Sequence, residues 1–338
     1  MKVLQIIDKL GVGGAERVCV DLSNLLYTEN ITVSVLTFIS GGELKPLLNK
    51  NIPIIKYNRK SKFNISSAIN LSRILKKHDI IHVHMRHSFR YVKLVSILFN
   101  TKSKIFLHDH SSKFTKTPLF LNSLLKPSYF IGVSNKLTDW AATTLNIKKE
   151  HIYLLKNIVI KEHTFKKERK GMVIVGNIKP VKNQLFAIRL TARLGEDLTI
   201  IGKVQDTKYY QKLKSVIKEL GIEKNVKFIF NEKNPQQLLS QFKFGLMVSI
   251  LESGPLVLIE YVAQNLPFIS IKKGEVSQLL EKELPDFFIE NYDEEKWIES
   301  AKKLSTFEGN LEAVYTKYFS PKDYINKCVS IYQKIINY

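Results

Sequence analysis

The sequence is poor in cysteine. Cys19 and Cys328 are the only two in 338 residues, too far apart to suggest a disulfide framework or a zinc ligand set. A reducing, cytoplasmic setting is expected. No apolar run approaches the roughly 18 residues that a membrane span needs. The segment Met1–Asp8 has one early lysine, a short apolar run and no small-residue cleavage site, so it reads as a strand and not as a secretory signal. Acidic residues are also scarce: 31 Asp and Glu stand against 52 Lys and Arg, a net charge of +21. Such a field attracts anions, whether nucleotides, nucleic acid or acidic lipid. Lysines that coat helices account for much of the excess. They are spread along the chain and are not grouped with stacking aromatics, so specific nucleic-acid binding is not expected. Finally, no Asp-x-Asp pair occurs. Metal-held pyrophosphate usually needs such carboxylates, so neither a metal nor another cofactor is expected.

What is present is ordinary for a globular chain, 44% hydrophobic and 25% charged. The length exceeds the roughly 250–300 residues at which single cores stop growing, which predicts two domains. β-Branched runs at Lys2–Asp8, Thr32–Phe38, Ile52–Tyr57, Ile80–His84, Lys104–Leu107, Tyr129–Val133 and Ile152–Leu155 alternate with helical patterns. Among these are Ala15–Tyr27, Ile65–Lys77 with Asn64 as its cap, and Tyr91–Phe99. The charged stretch Lys161–Lys170 reads as a linker. The alternation then restarts, with strands at Met172–Gly176, Leu198–Ile201, Val226–Phe230, Gly245–Ile250, Pro267–Ile271 and Phe287–Glu290. Helical patterns fall at Asn183–Arg193, Thr207–Leu220, Pro235–Gln241, Leu256–Gln264 and Asp293–Leu304. Strands alternating with helices imply parallel βαβ units with ligands at the carboxyl ends of the strands. The expected division is 1–162, 163–320 and a final helical segment, 321–338.

Several groups of residues carry candidate chemistry. Gly11-Val12-Gly13-Gly14-Ala15-Glu16-Arg17 joins the first strand to the first helix. Glycines let backbone approach a ligand, and a helix N-terminus suits phosphate. Glu16 stands where the dinucleotide fingerprint wants Gly or Ala, so this is not that motif. Glu252-Ser253-Gly254-Pro255-Leu256-Val257-Leu258-Ile259-Glu260 runs from a strand end into a helix. A carboxylate accepts two hydrogen bonds from a diol, so Glu252 and Glu260 suit two hydroxyl clusters on one ligand. The unpaired N–H groups of Leu256 and Val257 add donors. Lys182, just ahead of a helix, is repelled by the helix dipole unless an anion lies between them.

His82, His84 and His87 form one histidine group and His108 and His110 the next. Each His-x-His pair shares a strand face, which allows a metal reading. Only Asp109 is near as a carboxylate, so a catalytic or hydrogen-bonding role is preferred. Last, Arg86, Arg90, Lys93, Lys102, Lys104, Lys113, Lys116 and Lys126 flank Phe114, Leu119, Phe120, Leu121, Leu124 and Leu125. Basic residues beside an apolar segment suit a peripheral contact with an anionic membrane, and equally a solvated face over a core helix.

With these motifs in order, the whole chain resembles the retaining glycosyltransferases of family four, of GT-B architecture. Gly13 to Arg17 is similar to that family's N-terminal glycine motif, Gly176 to Asn183 to its phosphate motif, and Glu252 to Glu260 to its paired-glutamate motif. Ala263-Gln264-Asn265-Leu266-Pro267 resembles its helix-to-strand turn. The resemblance implies two Rossmann-like doubly wound domains facing a cleft, with the C-terminal helix crossing back to the N-terminal domain. It implies metal-independent transfer, with retention, from a nucleotide-diphosphate-sugar donor to a glycan or lipid-linked acceptor of bacterial surface polysaccharide, on the inner face of the cell membrane. Glu252 would contact the donor sugar and Glu260 the ribose. Gly13, Gly14, Asn177, Lys182, Gly254, Leu256 and Val257 would complete the donor site. His110, with His108 as second choice, would lie near the anomeric carbon. Asn177 stands where the family has arginine, Gln278 where it has a late glutamate, and Asn265 where it has glycine. A nucleotide-sugar epimerase and a nucleotide-sugar-binding protein with impaired catalysis are the alternative readings.

Overall fold

The computed structural model describes residues 1–57, 64–111, 124–164, 168–304 and 306–336. Its strands are β1 (Lys2–Ile7), β2 (Thr32–Thr37), β3 (Ile54–Lys56), β4 (Ile80–His84), β5 (Lys104–Asp109), β6 (Tyr129–Gly132), β7 (Ile152–Leu154), β8 (Met172–Val175), β9 (Leu198–Ile201), β10 (Val226–Ile229), β11 (Phe244–Met247), β12 (Phe268–Ile271) and β13 (Phe288–Ile289). The helices are α1 (Gly14–Thr28), α2 (Ile65–Leu75), α3 (Arg86–Leu98), α4 (Asn135–Thr143), α5 (Gln184–Leu194), α6 (Thr207–Glu219), α7 (Gln236–Leu239), α8 (Leu256–Ala263), α9 (Glu275–Leu280), α10 (Glu294–Leu304), α11 (Leu311–Tyr318) and α12 (Pro321–Ile336).

The chain divides into two compact units, Met1–Asn157 with Pro321–Tyr338, and Ile158–Ser320. The first holds a sheet in the order β3-β2-β1-β4-β5-β6-β7 and the second one in the order β10-β9-β8-β11-β12-β13. Every pairing between strands is parallel. Both orders are doubly wound. In each, the chain starts centrally, winds to one edge, and returns to lay a fourth strand beside the first.

In the first unit the two-residue period of the strands separates two faces. Leu4, Ile6, Ile81, Val83, Ile105 and Leu107 join one apolar cluster with Leu71 and Leu75 of α2, Phe89, Val92 and Val95 of α3, and Leu137 and Trp140 of α4. Their neighbours Gln5, His82, His84 and His108 alternate with them along the strands and are also fully buried. Tyr332 of α12 lies on that side, against the rings of His82 and Phe106.

The second unit begins ahead of the charged stretch predicted as a linker. Residues 160–164 are fastened to it by two buried glutamines. Gln236 donates to the Ile160 carbonyl (3.0 Å) and Gln264 to the Glu162 carbonyl (2.9 Å), while Thr164 donates back to Gln264 (2.8 Å). Side chains far along the chain therefore hold this polar segment in place, which local composition does not reveal. In the core, Tyr261 of α8 packs over β11 and donates to the Leu246 carbonyl (3.2 Å), and Trp297 meets Phe186 edge-on.

Asn64 caps α2 through the Ser67 amide as expected, and Ser134, Asp206 and Asn310 cap α4, α6 and α11. α3 starts at Arg86, ahead of the predicted Tyr91, because its first turn is polar and lacks the apolar spacing that marks a helix. α9 and α11 had no predicted counterpart; both are short.

The carboxyl ends of β8 and β9 approach very closely. The Gly176 amide donates to the Ile201 carbonyl at 2.9 Å, and a Cβ on Gly202 would stand 2.1 Å from the Gly176 oxygen. Gly202→Ala is expected to push the two loops apart and cost about 1–3 kcal/mol. An unchanged urea midpoint would show that the approach is not tight.

Candidate active site

In each doubly wound sheet the place where winding reverses brings two carboxyl-end loops side by side. In the second unit these follow β8 and β11. The chain leaves β8 at Gly176, makes a turn at Pro180–Lys182, passes through left-handed Asn183 (φ 52°) and enters α5. It leaves β11 into the loop of Glu252 and enters α8 after Pro255. The two loops are joined by the Ile250 amide, which donates to the Val181 carbonyl at 2.9 Å. As a result, Lys182 Nζ meets Glu252 Oε1 at 2.5 Å, with both side chains mostly buried (24% and 12% exposed). Two residues singled out separately in sequence thus form one ion pair.

The other predicted residues of this unit fall around that pair. Gly254 is buried ahead of α8, whose first residues are Leu256 and Val257. Glu260 lies in the second turn of α8 and is 7% exposed. Asn177 is engaged in its own loop, where Oδ1 accepts from the Lys203 amide (3.3 Å) and the carbonyl accepts from Gln184 (3.1 Å). One residue escaped the sequence reading: Gly274, with φ 86°. A Cβ there would meet Pro255 Cδ at 2.9 Å and the Ser253 carbonyl at 3.0 Å, and the next amide, Glu275, donates to that same carbonyl at 2.7 Å. Gly274 therefore braces the Glu252 loop. The Lys-Gly pair before a short helix was its only trace in sequence.

In the first unit, Gly13 precedes α1 in extended conformation and Gly14 is the helix's first residue. The Glu16 carboxylate folds back over Gly13, into the space a Cβ would take. An acid there satisfies the helix dipole, so a phosphate at this turn has to displace it. Arg17 and Asp21 form a buried pair at 3.0 Å one turn on.

The histidines form the most unusual feature of this unit. His84 Nδ1 lies 3.0 Å from His110 Nε2, and His84 Nε2 lies 2.8 Å from Gln5 Oε1. His82 Nε2 lies 2.9 Å from His108 Nδ1, and His82 Nδ1 lies 2.6 Å from the Tyr332 hydroxyl. The rings of His108 and His110 are 4.1 Å apart. His87 does not belong to the group: it is the second residue of α3, its side chain is 60% exposed and it faces Asp8 at 3.5 Å. His82, His84 and His108 place ligand atoms within 4.8 Å of one another, the only such group among the described residues. Both nitrogens of His82 and of His84 are engaged in the hydrogen bonds above. Asp109 is not available to a cation here, because Arg86 holds it at 2.7 Å while stacking on Trp140 at 4.2 Å. Burial raises the Asp109 carboxyl above its ordinary value, and Arg86 pulls the other way. Between β4 and α3, Met85 takes φ 78°, a strained backbone for a side-chain-bearing residue.

Burial lowers His82 and His110 to about 3 and holds His84 and His108 well below the usual imidazole range, with the neighbouring histidines adding repulsion at all but His110. The four rings are therefore neutral in the folded chain.

The residues 156–318 match the family described as "Glycosyl transferases group 1", and residues 12–162 match "Glycosyltransferase Family 4". With the two doubly wound sheets, this defines a GT-B enzyme. The chain belongs to the family-four type of glycosyltransferase. It is 28% identical over 325 residues to the capsular polysaccharide biosynthesis glycosyltransferase CapH of Staphylococcus aureus, covering 90% of each chain. It is 26% identical over 326 residues to an undecaprenol-linked-glycan α-1,4-N-acetyl-D-galactosaminyltransferase of Campylobacter jejuni, covering 90% of this chain and 88% of that one. In fold it is similar to Anabaena HepE solved with UDP and glucose, with a TM-score of 0.84 at 18% identity over 99% of this chain and 100% of that one.

Neutral buried histidines bind fewer protons than the same residues in the unfolded chain below the ordinary imidazole value. Their folded value is lowered, so stability is complete above about pH 6.5 and falls as pH drops toward the folded value near 3. Each imidazole is expected to remove about 2 kcal/mol at roughly 1.5 pH units below its ordinary value. Urea unfolding at pH 7.5, 6 and 5 checks this. A flat midpoint would mean that the cluster is not neutral when folded.

Proposed function

We propose that this glycosyltransferase moves a sugar from a nucleotide-diphosphate-sugar donor to a glycan or lipid-linked acceptor in surface polysaccharide synthesis, with retention and without a metal. The observation that carries the donor reading is the Lys182–Glu252 pair at the carboxyl ends of β8 and β11. An ammonium and a carboxylate neutralise each other there until a ligand offers both a better anion and better donors. The diphosphate takes the ammonium, and the sugar hydroxyls take the carboxylate. The first amides of α8, at Leu256 and Val257, lie beside Gly254 and add donors that the helix itself cannot use. Glu260 takes the ribose. Gly13 and Gly14 take phosphate by backbone contact, and Asn177 contributes a neutral donor where an arginine would be stronger. The absence of any Asp-x-Asp pair supports amides and one lysine as the phosphate holders.

The first unit handles the acceptor, with His110 close to the reacting carbon and His108 beside it. The leaving phosphate receives the acceptor's proton on the face from which it departs, which preserves anomeric configuration. The names of CapH and of the Campylobacter enzyme support a polymer or lipid-linked acceptor, and the HepE complex supports a uridine diphosphate donor. An anionic membrane surface fits such an acceptor. α3 leaves Leu94, Ile97 and Leu98 exposed at helical spacing, and Leu124 is exposed beside Lys126. Lys113, Lys116, Phe114, Leu119, Phe120 and Leu121, named above for this contact, lie outside the described residues. Among the described residues, no helix is long and apolar enough to cross a membrane.

A thermal-shift panel of nucleotide-sugars, followed by mass spectrometry of lipid-linked acceptors, tests the reading. Incubation with donor alone separates transfer from epimerisation, which needs no acceptor. Glu252→Gln is expected to lower kcat by about 100-fold or more with the fold intact; normal turnover would remove it from the sugar. Lys182→Ala is expected to weaken donor binding by about 10- to 100-fold, and an unchanged Kd would take it out of the phosphate site. Changing Lys113, Lys116 and Lys126 together to Glu is expected to reduce binding to anionic vesicles, and equal binding would reject the membrane face.

A further inference from the structure

Two hydrogen-bonded chains start from one side chain, Gln5 of β1. Its amide nitrogen lies 3.3 Å from the Tyr332 hydroxyl and its amide oxygen 2.8 Å from His84 Nε2. One chain continues from Tyr332 to His82 and His108. The other continues from His84 to His110. We propose that Gln5 is a positioning residue that sets the tautomers of His108 and His110, through Tyr332 and His82 on one side and His84 on the other.

Donor counting gives the assignment. The amide oxygen of Gln5 can only accept, so His84 carries its proton on Nε2. A neutral imidazole holds one proton, which leaves His84 Nδ1 as an acceptor, and His110 must donate to it from Nε2. His110 then keeps its lone pair on Nδ1. On the other side the amide nitrogen of Gln5 can only donate, so Tyr332 accepts from it. The single hydroxyl proton of Tyr332 goes to His82 Nδ1, 2.6 Å away. Cys328 also borders that hydroxyl, but a thiol sulfur is a weaker acceptor than an imidazole nitrogen. His82 then donates from Nε2 to His108 Nδ1, and His108 carries its proton on Nε2. That last nitrogen is buried and has no hydrogen-bond partner among the described residues.

All four histidines are therefore Nε2–H tautomers. Turning the Gln5 amide over reverses every step and makes all four Nδ1–H. Neutrality, on which the counting depends, follows from the complete burial of His82, His84 and His108 and from the depressed imidazole values. The consequence is that His108 presents a donor and His110 an acceptor, so His110 holds a ligand hydroxyl by that hydroxyl's own proton. This consequence for transfer rests on the reading that His110 meets the substrate. The tautomers do not.

Nitrogen-15 NMR of the full chain labelled at histidine reads the tautomers directly, without activity. Nε2–H on all four cluster histidines is expected in the wild type, and an Nδ1–H form at any of them overturns the assignment. In Tyr332→Phe, His84 and His110 are expected to keep Nε2–H while His82 and His108 lose their single form. In Gln5→Leu, all four are expected to lose it. An unaltered His110 in a folded Gln5→Leu chain overturns the role of Gln5. If neither variant folds, the wild-type spectrum still tests the assignment, because an Nδ1–H form at any of the four overturns it. Turnover is measured on the same samples. Wild-type Nε2–H forms lost in Gln5→Leu, with transfer unimpaired, support the tautomer assignment and reject the placing of His110 at the substrate.

Discussion

Parallel pairing of strands that are not consecutive is the constraint from which both candidate sites arise. β1 lies beside β4 and β8 beside β11, so loops separated by many residues leave the sheet next to each other and on the same edge. A parallel crossover returns the chain to the opposite edge before each new strand, which is why every ligand-facing loop of a unit gathers on one rim. The Lys182–Glu252 pair is a direct product of that geometry, and so is the junction of Ile250 with Val181 that holds it. Small residues make the gathering sterically feasible. Gly202 admits the Gly176 carbonyl, and Gly274 admits Ser253 and Pro255.

The second structural theme is a polar layer inside an apolar domain. One face of the first sheet packs aliphatic and aromatic side chains under α2, α3 and α4. The opposite face carries Gln5, His82, His84 and His108 beneath Tyr332 of the terminal helix. Buried polar groups are tolerated when they bond one another. Here His82 and His84 are bonded at both ring nitrogens, and His108 and His110 at one each, so the layer is held without any charge. α12 is indispensable to this layer because it brings the hydroxyl that links Gln5 to His82.

Much of the architecture could be read along the chain. Nearly all predicted strands agree with the observed ones to within a residue or two, since short β-branched runs bounded by polar residues have few other solutions. β3 and β11 were read too long because apolar loop residues such as Tyr57 and Val248 extend the pattern past the last ladder bond. The glycine turn, Lys182 and the Glu252–Glu260 run were visible because they sit at strand-to-helix junctions. Gln5 and Tyr332 were not visible: one is a polar residue inside a strand, the other an aromatic on an amphipathic helix, and both types are common there for ordinary reasons. Gly274 was missed because the carbonyl it accommodates belongs to a distant segment.

Sequence alone determined the alternation of strand and helix, the two-part division in outline, the scarcity of acid and the junctions where chemistry-bearing residues sit. These are local properties, set by periodicity, turn residues and composition within a few neighbours. Tertiary structure decided which of those residues touch. It paired Lys182 with Glu252, separated His87 from the other histidines, and linked four imidazoles through one glutamine and one tyrosine. Such contacts join positions far apart in the chain and leave no repeating mark in it, because a hydrogen bond depends on the distance between atoms and not on their spacing along the backbone.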